Sequence, residues 1–170
     1  MSKLHLITGG QRSGKSNFAQ KTALGLSQNP VYLATARVWD EDFRERINRH
    51  KADRGDNWEN MEIPINISTA DIDGKVVLLD CVTLWLTNLF FEHKDLKTDE
   101  VLELAKKEFD CFIQKEAQFI IVTNEIGMGG HGENEIARKF TDLQGWMNQY
   151  IASLADEVTL MVSGIPMKIK

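Results

Sequence analysis

The sequence predicts an α/β fold, a mostly parallel sheet with helices on both faces, and three observations carry that expectation. Short apolar runs recur at Leu4 to Thr8, Val31 to Thr35, Val76 to Asp80, Phe119 to Thr123 and Val158 to Ser163, each too short for a helix and rich in Val, Ile and Leu. Helical patterns alternate with them, and a parallel connection needs such a long crossover. The runs are unbroken rather than alternating, which suits strands buried on both sides. A length of 170 residues fits one domain spanning 1–170.

In chain order, the first run, Leu4 to Thr8, leads through Gly9-Gly10-Gln11-Arg12-Ser13-Gly14-Lys15-Ser16 into a helix expected over Lys15 to Ser27. That octapeptide matches G-x-x-x-x-G-K-[ST] in the strand-to-helix context the motif requires. Its glycines let backbone N–H groups point at phosphate oxygens, Lys15 neutralises β/γ charge, and Ser16 can hold magnesium, so the expected fold is that of a P-loop NTPase. Val31 to Thr35 is the second strand, and Asp40 to Arg54 reads as a helix with Trp39, Phe43 and Ile47 on one stripe. On a neighbouring face Arg46, His50 and Arg54 fall four apart. Two readings are open for this face: a solvated helix surface, or a histidine kept neutral by guanidinium charge and able to attack phosphorus.

The segment Asn57 to Asp73 is irregular, with a short extra strand expected near Met61 to Ile65. Val76 to Asp80 is an apolar strand ending in a carboxylate, either turn chemistry or a ligand of the magnesium shell through water. An apolar helix-like run follows, with His93 placed to cap its carboxyl end. Thr98 to Lys115 repeats Val101, Leu102, Leu104, Ala105, Phe109, Phe112 and Ile113 at helical spacing. After Phe119 to Thr123 comes a loop in which Gly127, Gly129, Gly130 and Gly132 are concentrated, suited to close approach to a ligand or to a flexible connection. Glu133 to Leu154 is the last expected helix. His5 reads as a strand residue and His131 as solvent-exposed, and the histidine spacings do not suggest zinc.

Composition narrows the function classes. Twenty basic against 25 acidic side chains give a net charge of −5, which argues against a general nucleic-acid binder. No run approaches the ~18 consecutive apolar residues of a membrane span, so membrane insertion is not expected. Cys81 and Cys111 are isolated and expected to stay reduced, and the compartment reads as cytoplasmic. Guanine-reading segments of the N-K-x-D kind are absent, so the motif leaves ATP and GTP open. A P-loop kinase for a small hydroxyl compound and a nucleotide-switched binding protein are the readings the residues allow by themselves.

Taken together, GGQRSGKS, VYLATA at 31 to 36, RINRHKADRGDNW around His50, LLDCVTLWLTNL from Leu78, VTNEIGMG from Val122 and ADEVTLMVSGIPMKIK at the carboxyl end resemble one family. It is the bifunctional adenosylcobinamide kinase and adenosylcobinamide-phosphate guanylyltransferase family of cobalamin biosynthesis. The resemblance spans nearly the whole chain and implies two reactions on a corrinoid. ATP or GTP phosphorylates the aminopropanol hydroxyl of adenosylcobinamide, and GMP from GTP then passes to that phosphate through a covalent GMP-histidine, giving adenosylcobinamide-GDP and pyrophosphate. It implies that His50 carries the GMP and that Ala34, Thr35, Ala36, Lys51, Ala52, Asp53, Arg54, Glu62 and Asp80 surround the nucleotide together with Gly9 to Ser16. Mg2+ would be held by Ser16 and Asp80, and the protein would be a homo-oligomer. Gln11, the Gly130-His131-Gly132 stretch and Thr141 depart from the family pattern and leave the phosphate loop intact.

Overall fold

A computed structural model of the chain describes residues 2–37, 55 and 57–170. Seven strands form one sheet: β1 (Lys3–Gly9), β2 (Val31–Ala34), β3 (Glu59–Glu62), β4 (Val76–Asp80), β5 (Gln118–Val122), β6 (Glu157–Val162) and β7 (Ile165–Lys168). Their spatial order is β3-β2-β4-β5-β1-β6-β7, and every pairing is parallel except β6 with β7. The described helices are α1 (Lys15–Leu26), α2 (Val82–Glu92), α3 (Thr98–Ile113) and α4 (Glu135–Leu154). This is the α/β, P-loop NTPase-like fold the sequence predicts.

Period-two alternation divides the core between the two faces of the sheet. Leu4, Leu6, Val31, Leu33, Val77, Leu79, Phe119 and Ile121 pack in one cluster with Trp85 of α2, Phe109 of α3 and Met147 of α4. Their neighbours Ile7, Tyr32, Leu78, Ile120 and Val122 pack in the other with Ala19 and Ala23 of α1. Helices therefore cover both faces.

Local chemistry sets the helix starts. Asn134 Oδ1 accepts the Ala137 N–H at 2.8 Å, so α4 begins after this cap rather than at Glu133. Glu100 Oε2 accepts the Lys97 N–H at 2.8 Å at the head of α3, which closes at Ile113, two residues before the expected Lys115. His93 is the residue after α2, and its N–H donates to Leu89 O at 3.0 Å.

Two features differ from the sequence expectation. The short extra strand lies at Glu59–Glu62, earlier than Met61 to Ile65, because pairing of Val31 to Ala34 with Glu59 to Glu62 fixes it rather than its own hydrophobicity. β7 was not expected: all four of its residues are exposed and it contains Pro166, so it has no buried pattern. It is reached through Ser163 (φ 51°) and Gly164 (φ 81°), and two successive positive φ values make the tight turn of a hairpin. The helix expected over Asp40 to Arg54 lies outside the described residues. Among the described residues no helix is long and apolar enough to cross a membrane.

Candidate functional site

The phosphate loop is shaped by contacts that only glycine permits. Gly9 has φ +153°, and a Cβ there would stand 2.6 Å from Met161 O and 2.8 Å from Ser13 Oγ. Gly14 adopts φ +92° directly before α1, with Gly164 Cα 3.2 Å from where its Cβ would be. Ser13 O accepts the Gly164 N–H at 2.9 Å, so the β6–β7 turn braces the loop from behind. No side chain caps α1, which leaves the amides of its first turn available to an anion, with the helix dipole in its favour.

Lys15 is only 7% exposed. Its Nζ donates to Gly10 O at 2.6 Å and contacts Ser13 Oγ at 3.5 Å, folded back on the loop it serves. Burial pushes its pKa below the ordinary lysine value, with Asp80 among the charges acting against that shift. A desolvated ammonium in a cradle of glycine amides attracts polyanions strongly, and the arrangement suits the phosphates of a nucleotide.

Asp80 ends β4, two strands from the phosphate loop. Its Oδ2 accepts from Ser16 Oγ at 3.3 Å and from Tyr32 Oη at 2.5 Å. Tyr32 is a site residue the sequence reading missed: it lies two positions before Ala34 on the same strand face, but its relation to Asp80 appears only once β2 is known to pair with β4. Thr35 fastens the end of β2 to the residue after Asp80, its Oγ1 donating to Cys81 O at 2.8 Å and accepting the Cys81 N–H at 3.0 Å. Asn88 of α2 donates to Thr35 O at 2.7 Å and to Pro64 O at 2.8 Å. Ala34, Thr35 and Ala36 are thereby held beside Asp80 at the carboxyl edge. Burial pushes the Cys81 thiol up to about 12, which leaves it protonated and unsuited to nucleophilic work.

A second polar brace, also absent from the sequence reading, supports the end of β5. Thr123 Oγ1 donates to Asn148 Oδ1 at 2.7 Å, and Gln144 Nε2 donates to both at 3.0 and 2.9 Å. Asn148 Nδ2 donates to Asn124 O at 3.1 Å, and the Asn124 N–H and side-chain amide both meet Thr83 Oγ1 at 3.1 Å. Thr123, Gln144 and Asn148 are buried, so these bonds replace lost hydration and set the loop's point of departure. Amide side chains at helical spacing in α4, Gln144 and Asn148, were the available signal.

The structure thus brings Gly9 to Ser16, Ala34 to Ala36 and Asp80 to one edge of the sheet, with Glu62 on the outer strand in register with Ala34. His50, Lys51, Ala52, Asp53 and Arg54, with Arg46, lie outside the described residues. The Gly127–Gly129 segment is a short 3-10 turn, and His131 is exposed beside it.

The family described as cobinamide kinase / cobinamide phosphate guanyltransferase matches residues 5–169. The chain is 38% identical over 179 residues to the bifunctional adenosylcobalamin biosynthesis protein CobU of Escherichia coli, covering 97% of this chain and 98% of that one. A protein of the same name in Salmonella typhimurium is also 38% identical over 179 residues, at 97% and 98% coverage. The bifunctional adenosylcobalamin biosynthesis protein CobP of Pseudomonas aeruginosa is 36% identical over 170 residues, covering 97% of this chain and 96% of its own.

Proposed function

The chain belongs to the cobinamide kinase / cobinamide phosphate guanyltransferase family, and from that premise we propose that it acts on adenosylcobinamide in two steps. ATP or GTP first phosphorylates the aminopropanol hydroxyl. GMP from GTP then passes to the new phosphate by way of His50, giving adenosylcobinamide-GDP. The protein works as one catalytic unit over 1–170, as its length indicates, in the cytoplasm, as its isolated cysteines indicate, and as a homo-oligomer, as the resemblance implies.

The observation that carries this reading is the pairing of a buried Lys15 in a glycine cradle with the Ser16–Asp80 contact across the sheet. In the first step the acceptor oxygen bonds to the γ-phosphorus, the bond to the β-bridging oxygen breaks, and Lys15 with the loop amides takes up the charge on the departing diphosphate. In the second, an imidazole nitrogen of His50 attacks the α-phosphorus and pyrophosphate leaves. The acceptor phosphate oxygen then displaces the histidine nitrogen, which returns to its neutral form. Arg46 and Arg54 at helical spacing would keep His50 neutral and share the phosphoryl charge.

Ser16 Oγ and Asp80 Oδ2 are hard oxygen donors that suit Mg2+, held directly or through water. Among the described residues no group of three or more His, Cys, Asp or Glu side chains could hold a metal alone, so nucleotide oxygens and water would complete the shell. When bound, the ion would offset phosphate charge. Asp80 keeps its carboxylate in place through Tyr32 Oη.

Incubation with α-labelled and γ-labelled GTP in parallel tests the proposal. Label from the α position, and not from the γ position, is expected to stay on denatured protein, to be lost in acid and retained in base. His50→Ala should lose that label and GMP transfer while keeping corrinoid phosphorylation. An alanine variant that carries α-label at wild-type stoichiometry places the nucleophile elsewhere.

A further inference from the structure

A hydroxyl gives up its proton as it is phosphorylated, a positioned carboxylate is a suitable acceptor, and a protonated Lys15 and the loop amides are donors instead. The sheet order singles out one carboxylate. β5 lies between β1, which carries the phosphate loop, and β4, which carries Asp80, with Val122 level with both Ile7 and Asp80. The ladder between β5 and β1 continues past the strand ends, through Thr123 N–H to Ile7 O and Glu125 N–H to Gly9 O, both at 3.0 Å. Glu125 is therefore bonded through its backbone to the first glycine of the loop.

Its side chain is half-buried, and Oε1 accepts the Gly127 N–H at 3.1 Å. Among the described residues no cation pairs with it and Oε2 has no hydrogen-bond partner. Gly127 also lines a groove of about 530 Å³ with Met128, His131, Arg138 and Thr141, a volume within the range of small-molecule sites. Glu125 is thus bonded on one side to the phosphate loop and on the other to a residue that lines this groove.

The other carboxylates nearby are placed differently: Asp142 lines the groove from α4, and among the described residues no hydrogen bond ties it to the phosphate loop. Asp80 Oδ2 is occupied by Ser16 and Tyr32. Glu62 lies on β3, four strands from β1, or roughly 19 Å away at about 4.8 Å per strand. The brace of Thr123, Asn124, Gln144, Asn148 and Thr83 gives the backbone before Glu125 a fixed departure, as a group working on a single proton needs.

We propose that Glu125 is the base of the phosphoryl-transfer step, taking the proton of the acceptor hydroxyl on its free oxygen as that hydroxyl attacks the γ-phosphorus. The inference rests on the kinase half of the function proposed above. The acceptor oxygen–phosphorus bond forms, the bond to the β-bridging oxygen breaks with its electron pair leaving on the nucleoside diphosphate, and the proton passes to the carboxylate. GMP transfer to His50 does not need this base, so the two reactions should separate at Glu125.

Glu125→Gln keeps the acceptor for Gly127 N–H and removes only the basicity. With full-length protein, adenosylcobinamide and γ-labelled GTP, it should lower the turnover of corrinoid phosphorylation roughly 100-fold or more. GTP affinity and α-label on the protein should stay near wild type. Glu125→Asp, a shorter carboxylate, should lose less, and it serves as the readout if the glutamine variant fails to fold. Release of γ-label to water without corrinoid is measured in parallel, since a base for the acceptor also serves water. Phosphorylation by Glu125→Gln within threefold of wild type overturns the inference, as does combined loss of GTP affinity, α-label and phosphorylation, which marks a structural role. If wild-type protein releases label to water but never to the corrinoid, the family reading of the substrate fails and the hydrolysis of the variant decides Glu125. A wild type that transfers γ-label to neither overturns both.

Discussion

Two glycine-rich loops leave the carboxyl edge of the sheet, one after β1 and one after β5, and they use glycine for different reasons. In the first, Gly9 and Gly14 have positive φ and backbone pressed against the space a Cβ would fill. Ser13 and Lys15 are buried, and the β6–β7 turn is bonded to the loop from outside. In the second, Gly129 has open space around it and Met128 is 80% exposed. Only Gly132 meets close neighbours there, with Arg138 N 2.7 Å from its would-be Cβ. The first loop is pre-formed for a ligand that must fit closely. The second is fixed at its root by Asn124 and at its end by the Asn134 cap, with freedom between.

The largest effect should come from removing the charge that the first loop is built around. Lys15→Ala is expected to lower γ-phosphate transfer on the order of 10² to 10³-fold, because no other side chain within the loop is a buried cation. Magnesium-dependent transfer at the wild-type rate would mean that the cradle serves another purpose.

Next in size is Gly9→Ala, which forces a Cβ against the Met161 carbonyl and a side chain into a glycine conformation. Strain and overpacking of this kind cost about 1 to 3 kcal/mol, read as a lower urea midpoint. An unchanged midpoint would show that the loop has slack and the contrast with the second loop is false.

The smallest effects sharpen the contrast inside the second loop. Gly132→Ala, pressed on the backbone of Ala137 and Arg138, should cost about 1 kcal/mol. Gly129→Ala, with nothing within 4 Å, should be neutral or stabilising by about 0.5 kcal/mol through a less flexible unfolded chain. Thermal melts of the two variants in one buffer check the difference, and equal shifts would count against it.

The strands were legible wherever two-sided burial wrote an apolar run: the segments from Leu4, Val31, Val76, Phe119 and Val158 all appear within one or two residues of their expected bounds. α2 was legible as an apolar helix-like run ending near His93, but its buried face was not. Its Val82, Trp85, Leu86 and Leu89 are buried within a segment apolar nearly all round, which blurs any helical period. β7 escaped because an exposed edge strand has no face to pattern, although Ser163-Gly164 between apolar residues was a turn signal that could have suggested the hairpin. In the site, the loop and Asp80 were readable, while Tyr32, Asn88 and the Thr123 brace were not. Their roles depend on partners 21 to 53 residues away in the chain.

By itself the sequence determined what local chemistry encodes: the glycine pattern that fits phosphate, the lysine beside it, the alternation of strand and helix, and the family resemblance. Only the tertiary structure decided which strand stands beside which. The insertion of β5 between β1 and β4 sets Glu125 against Gly9, and the β6–β7 turn braces Ser13. Periodicity is written in neighbours a few residues apart, whereas strand order is chosen by burying every apolar face at once, a condition on the whole chain that no single segment carries.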